Sequence, residues 1–356
     1  MVKRKLSERE FFIIRTAWQR INAGKYDSRE GWDRFDKVIR FRRKRLFRRL
    51  VAVAGIVLVV LGYWGWSSTG RTEKVIGVQE IKRAQGSPVL ILANGEELAL
   101  EKQNLKDPIR QGNTKIIADR GRLTLQYTGD SLKENNLSLT YNTLRIPQGG
   151  EYLLTLADGS RIWLNSETTL RYPVNSAGKF REIELEGEAY FEVTPDSLCP
   201  FYVRMGSQSV EVLGTHFNVS HYKSDTLWHT TLVEGKVKIH SGEKSCILQP
   251  GTHYKENTVS GHSEIIKVNT QLYTSWKDGR VFFQDERLED IIRKLARWYD
   301  FEIFYTNPSV KDLHFGGTIN KYNSFEVVLR YLERTGGVCF DIRGKTVIAG
   351  FTRSAI

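Results

Sequence analysis

The sequence predicts a mainly β protein: a single transmembrane helix, then an all-β exported region of solenoid or sandwich type, then a small α+β domain of order βαββαββ. Three observations carry this prediction. A charge-free run covers Leu50 to Trp66, apolar residues alternate between turn dipeptides from about residue 75 to 270, and helical stripes return between strands at 276–350.

A length of 356 residues suggests two or three domains at roughly 100 to 200 residues each. With 40% apolar and 26% charged residues, the chain can bury cores, which excludes wholesale disorder. Cys199, Cys246 and Cys339 form no CxxC pair, so neither a disulfide scaffold nor a zinc knuckle has local support. Which of them could pair stays open.

The net charge of +12 is unevenly spread. Residues 1–49 hold 17 Lys+Arg against 6 Asp+Glu, which leaves the rest of the chain nearly neutral. Seven of the ten residues Arg40–Arg49 are basic. The 17 residues Leu50–Trp66 follow at once; at about 1.5 Å per residue they nearly span a hydrocarbon core of about 30 Å. A span at 50–67 is therefore expected, with Arg42, Arg43, Arg45, Arg48 and Arg49 anchoring one end and Tyr63, Trp64 and Trp66 the other. The positive-inside rule puts the amino-terminal segment in the cytoplasm and the carboxyl end outside. Gly65-Trp66-Ser67 is a poor cleavage site, so the anchor is expected to stay uncleaved. Anionic lipid explains the Arg run more simply than direct nucleic-acid binding does.

In the segment 1–49, Ser7 and Glu10 match a capping box, and Phe11, Ile14, Trp18 and Ile21 follow on one helical face. Asp27 and Glu30 start a second helix whose stripe includes Trp32 and Phe35. Two short helices bury little between themselves, so these six apolar residues are expected to meet a partner protein in helix-in-groove fashion.

The exported region, 75–270, contains a repeat. Residues 86–100 and 150–164 align without a gap, each a strand, an Asn94-Gly95 or Asp158-Gly159 turn expected to be two-residue type I′, and a returning strand. Asp158 accordingly reads as a turn residue, not a catalytic acid. From Arg181 to Val193, Ile183, Leu185, Gly187, Ala189, Phe191 and Val193 share one face, and Glu182, Glu184, Glu186, Glu188 and Glu192 share the other. That acidic row reads as a solvated face paired with neighbouring Arg or Lys. At 276–350 the stripe Leu288, Ile291, Ile292, Leu295, Trp298 and the stripe Phe325, Val328, Leu329, Leu332 mark two helices among the strands.

Enzyme signatures are absent: no GxSxG, Walker loop, HExxH or dinucleotide fingerprint occurs. His216 and His221 fall on opposite faces of a strand, which spoils chelation. No catalysis, metal or cofactor is expected. A different class of function, a membrane-anchored periplasmic scaffold for glycan or cell-wall polymer, would use aromatics such as Trp163, Tyr172 and Tyr190.

Several motifs occur in one order: Ile146-Pro-Gln-Gly-Gly-Glu151, Leu156-Ala-Asp-Gly-Ser-Arg-Ile-Trp-Leu-Asn-Ser166, Leu170-Arg-Tyr-Pro173, Leu185-Glu-Gly-Glu-Ala-Tyr-Phe-Glu-Val193, Val212-Leu-Gly-Thr-His-Phe-Asn-Val219, Leu232-Val-Glu-Gly-Lys-Val237 and Leu248-Gln-Pro-Gly251. Together they resemble the FecR domain. Leu295-Ala-Arg-Trp-Tyr-Asp300 is similar to the carboxy-terminal domain of Bacteroidetes FecR-like proteins, and this end also resembles the small secretin/TonB amino-terminal fold. The resemblance implies an inner-membrane anti-sigma factor. Its cytoplasmic end would hold an extracytoplasmic-function (ECF) sigma factor, and its periplasmic part would sense the signalling domain of a TonB-dependent outer-membrane receptor. Two departures stand out: Gln148 where the family often has Arg, and a cytoplasmic segment of 49 residues where roughly 80 or more are usual.

Overall fold

The computed structural model describes residues 81–100, 107–111, 114–119, 121–127, 140–174 and 181–352. The expected span and the two amino-terminal helices lie outside the described residues. Among the described residues, no helix is long and apolar enough to cross a membrane.

Alternation of apolar and polar side chains builds two sheets that share one strand. The first runs, neighbour by neighbour, through Glu97–Ala99, Val89–Ile91, Tyr141–Arg145, Thr169–Pro173, the first half of Arg181–Glu192, Phe201–Met205, Gln208–Val212, Val237–Ser241 and Lys244–Leu248. The second runs through Ile109–Gln111, Thr114–Asp119, Arg122–Tyr127, Tyr152–Thr155, Arg161–Leu164, the second half of Arg181–Glu192, His216–His221, Leu227–Glu234, Thr252–Asn257 and Ser263–Lys267. Leu90, Leu144 and Leu170 of the first sheet join Leu154, Ile162 and Phe217 of the second in one apolar core. Two sheets enclosing one core make a sandwich, which decides between the two architectures expected.

The shared strand can serve both sheets because it turns at Gly187. There φ is +118°, and a β-carbon would lie 2.5 Å from Thr168 Oγ1 and 2.7 Å from its Cα. Residues 184–186 pair with Thr169–Arg171 in one sheet, while 189–192 pair with Arg161–Leu164 in the other. Only glycine combines that φ with so close an approach.

The repeat forms two antiparallel hairpins, Val89–Ile91 with Glu97–Ala99 and Tyr152–Thr155 with Arg161–Leu164. Their turns differ from expectation. Gly159 N donates to Leu156 O and Leu156 N to Ser160 O, so the loop has three residues, and Gly95 N likewise donates to Leu92 O. Only the glycines carry positive φ, +87° and +85°. The reason is local: the Asn94 and Asp158 side chains accept the backbone N–H two residues on, at 3.0 and 2.9 Å, and hold a type I turn in which glycine alone takes the left-handed position.

After the sandwich comes a short helix α1 (Gln271–Thr274) with a 3₁₀ turn, Ser275–Asp278, which sequence periodicity missed because four residues show no stripe. The rest follows the expected order: strand Arg280–Arg287, helix α2 (Leu288–Ala296), strands Glu302–Tyr305 and His314–Asn320, helix α3 (Phe325–Gly336), and strands Val338–Arg343 and Thr346–Phe351. The first and third strands pair with each other, and Thr346–Phe351 lies between the remaining two. Leu288, Ile291, Leu295, Phe325, Leu332 and Val347 fill a second core. Both cores lie within one compact unit, Gly77–Ile356. All three cysteines are free thiols.

Candidate functional site

The residues expected to bind a partner, Phe11, Ile14, Trp18, Ile21, Trp32 and Phe35, and those expected at the bilayer, Arg42, Arg43, Arg45, Arg48, Arg49, Tyr63, Trp64 and Trp66, lie outside the described residues. The described residues hold a different site, a buried polar junction between the two cores.

The junction begins with the loop Ile146–Glu151. Gln148 donates to the carbonyls of Ala296, at 2.6 Å, and Tyr299, at 3.2 Å, and Gly149 N donates to Arg297 O at 2.9 Å. These donors satisfy carbonyls at the end of α2 and in the turn that follows it. Next comes Asn165, at the end of strand Arg161–Leu164. Its Oδ1 accepts from Trp298 Nε1 at 3.3 Å and from Lys321 Nζ at 3.0 Å, while its Nδ2 donates to Glu188 Oε2 at 2.7 Å. The other Glu188 oxygen accepts from Asn218 Nδ2 at 3.0 Å, and Asn218 Oδ1 accepts from Trp276 Nε1 at 3.0 Å. Every link in that chain joins a donor to an acceptor, which low-dielectric burial demands.

Lys321 is its centre. It follows strand His314–Asn320, and its side chain is fully buried. The ammonium lies 5.3 and 4.9 Å from the ring centres of Trp276 and Trp298, and 3.0 Å from Glu151 Oε2. Arg83, at 3.4 Å, and the Tyr322 hydroxyl, at 2.9 Å, approach the second Glu151 oxygen. Burial pushes the Glu151 carboxyl up, but Lys321, the Tyr322 hydroxyl and Arg83 together outweigh it and hold it below the usual range. Burial pulls the Lys321 ammonium below its ordinary value, only partly offset by Glu151. The pair thus fixes a cation that water cannot reach, at a net desolvation cost to the lysine. Beside it, Arg297 bonds Asp225 at 2.6 Å and stacks 3.7 Å over Tyr222.

This chemistry joins two bodies. Among the described residues, no three or more His, Cys, Asp or Glu gather as a metal site. The acidic row behaves mainly as expected: Glu182 pairs with Arg204 at 2.6 Å, Glu184 with Arg171 at 2.7 Å, and Glu192 with Arg161. Glu188 is the exception, because it faces the junction. Asp158 is a turn residue that also bonds Arg181 at 2.7 Å. Of the aromatics considered for glycan stacking, Tyr172 and Tyr190 are buried at 0% and 4% exposure, and Arg161 and Lys277 lie over Trp163. Packing buries the two tyrosines, while Trp163 stays partly exposed beneath the two cations.

Sequence reasoning singled out none of the junction residues as a site. A signal was present: Gln148, Glu151, Asn165, Glu188, Asn218 and Trp298 all fall inside the motifs quoted above, as polar or indole groups set among apolar residues.

Two family models match the chain, described as "FecR protein" over residues 142–238 and "FecR, C-terminal" over residues 280–349. The chain is similar to two crystal structures of a proposed anti-sigma factor from Parabacteroides distasonis. One is 30% identical with a TM-score of 0.55, covering 60% of this chain and 99% of that one. The other is 29% identical with a TM-score of 0.55, covering 58% and 97%. No curated protein matches.

Proposed function

The chain belongs to the FecR family of anti-sigma factors, and from that premise we propose that it is a single-pass transducer of the bacterial inner membrane. Its basic amino-terminal segment binds an ECF sigma factor in the cytoplasm through Phe11, Ile14, Trp18, Ile21, Trp32 and Phe35. Its neutral body faces the periplasm and receives the signalling domain of a TonB-dependent outer-membrane receptor. Residues 50–67 cross the bilayer, with the Arg cluster at the inner face and Tyr63, Trp64 and Trp66 at the outer.

The observation that carries this reading is the charge asymmetry. A segment with 17 basic residues precedes a charge-free run, and a nearly neutral body with both FecR matches follows it. Such a division suits a protein whose two ends meet different partners. Affinity purification of the full chain from detergent-solubilised membranes tests it. A sigma factor is expected to co-purify, and Trp18→Ala with Trp32→Ala and Phe35→Ala is expected to abolish its recovery while leaving the chain in the membrane. Equal recovery with the triple variant would remove the sigma-binding assignment.

A further inference from the structure

The first described residues, 81–84, are anchored in the core of the carboxy-terminal body and bordered on their other side by the sandwich loop Gln148–Glu151. Ile81, 4% exposed, belongs to the second core with Leu288, Tyr299 and Phe325. Arg83 forms a β-bridge with Tyr299, Ala84 N donates to Trp298 O at 3.1 Å, and Asp300 N donates to Lys82 O at 3.4 Å. The Arg83 guanidinium lies 5.0 Å over the Tyr322 ring and 3.4 Å from Glu151. The sandwich closes the other side: a β-carbon on Gly149, where φ is +75°, would overlap the Ala84 carbonyl, and one on Gly86 would strike the Pro147 ring. Two glycines therefore give this stretch a slot between two bodies.

We propose that Ile81–Ala84 is a strap, clamped between the carboxy-terminal body and the loop Gln148–Glu151, whose release is the conformational step that reports on the carboxy-terminal body to the segment before it. The geometry gives the strap its leverage. Its contacts are to Trp298, Tyr299 and Asp300, the turn that Gln148 and Lys321 hold through the junction. A ligand or protein that shifts this turn must therefore also loosen the strap. The functional part rests on the transducer reading above; the clamp itself does not.

Hydrogen–deuterium exchange on the full detergent-solubilised chain tests the clamp. Amides of residues 81–86 are expected to be protected in the wild type. Protection should fall at least roughly tenfold in Ile81→Ser, which removes the buried anchor, and in Gly149→Ala, which closes the slot, while strand Phe201–Met205 is unchanged. Two variants on opposite sides of the strap guard against a local folding defect in either. Unprotected amides in the wild type, or protection that survives both variants, would overturn the clamp. The same variants in cells test the consequence, read on the transcripts that change when the gene is deleted. Strap release is expected to shift those transcripts with the protein level constant. If deletion shifts them and both released variants do not, the strap is no regulator although the transducer stands; if deletion shifts none, the transducer reading itself fails.

Discussion

Lys321 and Glu151 form an unequal pair. The lysine side chain is fully buried, whereas the glutamate side chain keeps 32% exposure and two further donors, Arg83 and Tyr322. Removing either partner leaves the other behind, and the cost depends on where the orphan sits. Glu151→Gln strands a cation among two indoles and should lower unfolding free energy by about 3–5 kcal/mol. Lys321→Met keeps the aliphatic packing and leaves a carboxylate that water and Arg83 still serve, so about 1–2 kcal/mol is expected. Urea unfolding followed by tryptophan fluorescence measures both, and equal costs would show that the junction does not isolate the lysine. None of this was legible from spacing, because Lys321 and Glu151 are 170 residues apart. A lone lysine beside Asn320 reads as surface until the fold buries it.

Elements were legible where a period was long enough to be seen. The strand Arg181–Glu192 and the helices α2 and α3 appear where alternation and apolar stripes place them. The four residues of α1 and the 3₁₀ turn Pro308–Asp312, whose Asn307 side chain caps Ser309 N, carry no such period and were missed. Turn type failed for a related reason: the Asn-Gly and Asp-Gly dipeptides announce a hairpin, but the bond from the Asx side chain to the next-but-one amide selects the three-residue form. Gly187 looked like one more small residue on the core face; its role in turning a strand from one sheet into the other depends on Thr168, a contact no local pattern reveals. Gly187→Ala combines a strained φ with overlap of Thr168 and is predicted to destabilise the sandwich by about 3 kcal/mol or more. A denaturation midpoint equal to that of the wild type would mean the crossing tolerates a side chain.

At the scale of the molecule, two histidines sit where the sandwich meets its connector. His253 is 1% exposed, its Nε2 is 3.1 Å from His229 Nδ1, its Nδ1 is 2.8 Å from Thr231 Oγ1, and Tyr273 of α1 stacks on it at 3.9 Å. Burial first, then neighbouring His229, Lys255 and Lys294, push His253 down to about 3. Burial and Lys294, Lys255 and Arg297, against Asp225, push His229 down to about 4. An unfolded histidine titrates near 6.5, so between about pH 6.5 and 3 the unfolded chain binds protons that the folded one refuses. Stability contributed by the neutral pair is therefore complete above about pH 6.5 and is lost as the pH falls. Melting temperatures between pH 7 and 4 should fall less steeply in His253→Gln than in the wild type, and identical slopes would count against a buried neutral pair.

On the proposed function, a cytoplasmic sigma-binding segment and an exported body require the chain to cross the membrane between them. Protease added to intact spheroplasts measures this directly, with tags at each end read by immunoblot. The carboxy-terminal tag is expected to be digested and the amino-terminal tag to be protected until the membrane is lysed. A carboxy-terminal tag that survives in intact spheroplasts, or a chain recovered from the soluble fraction without detergent, would contradict that crossing.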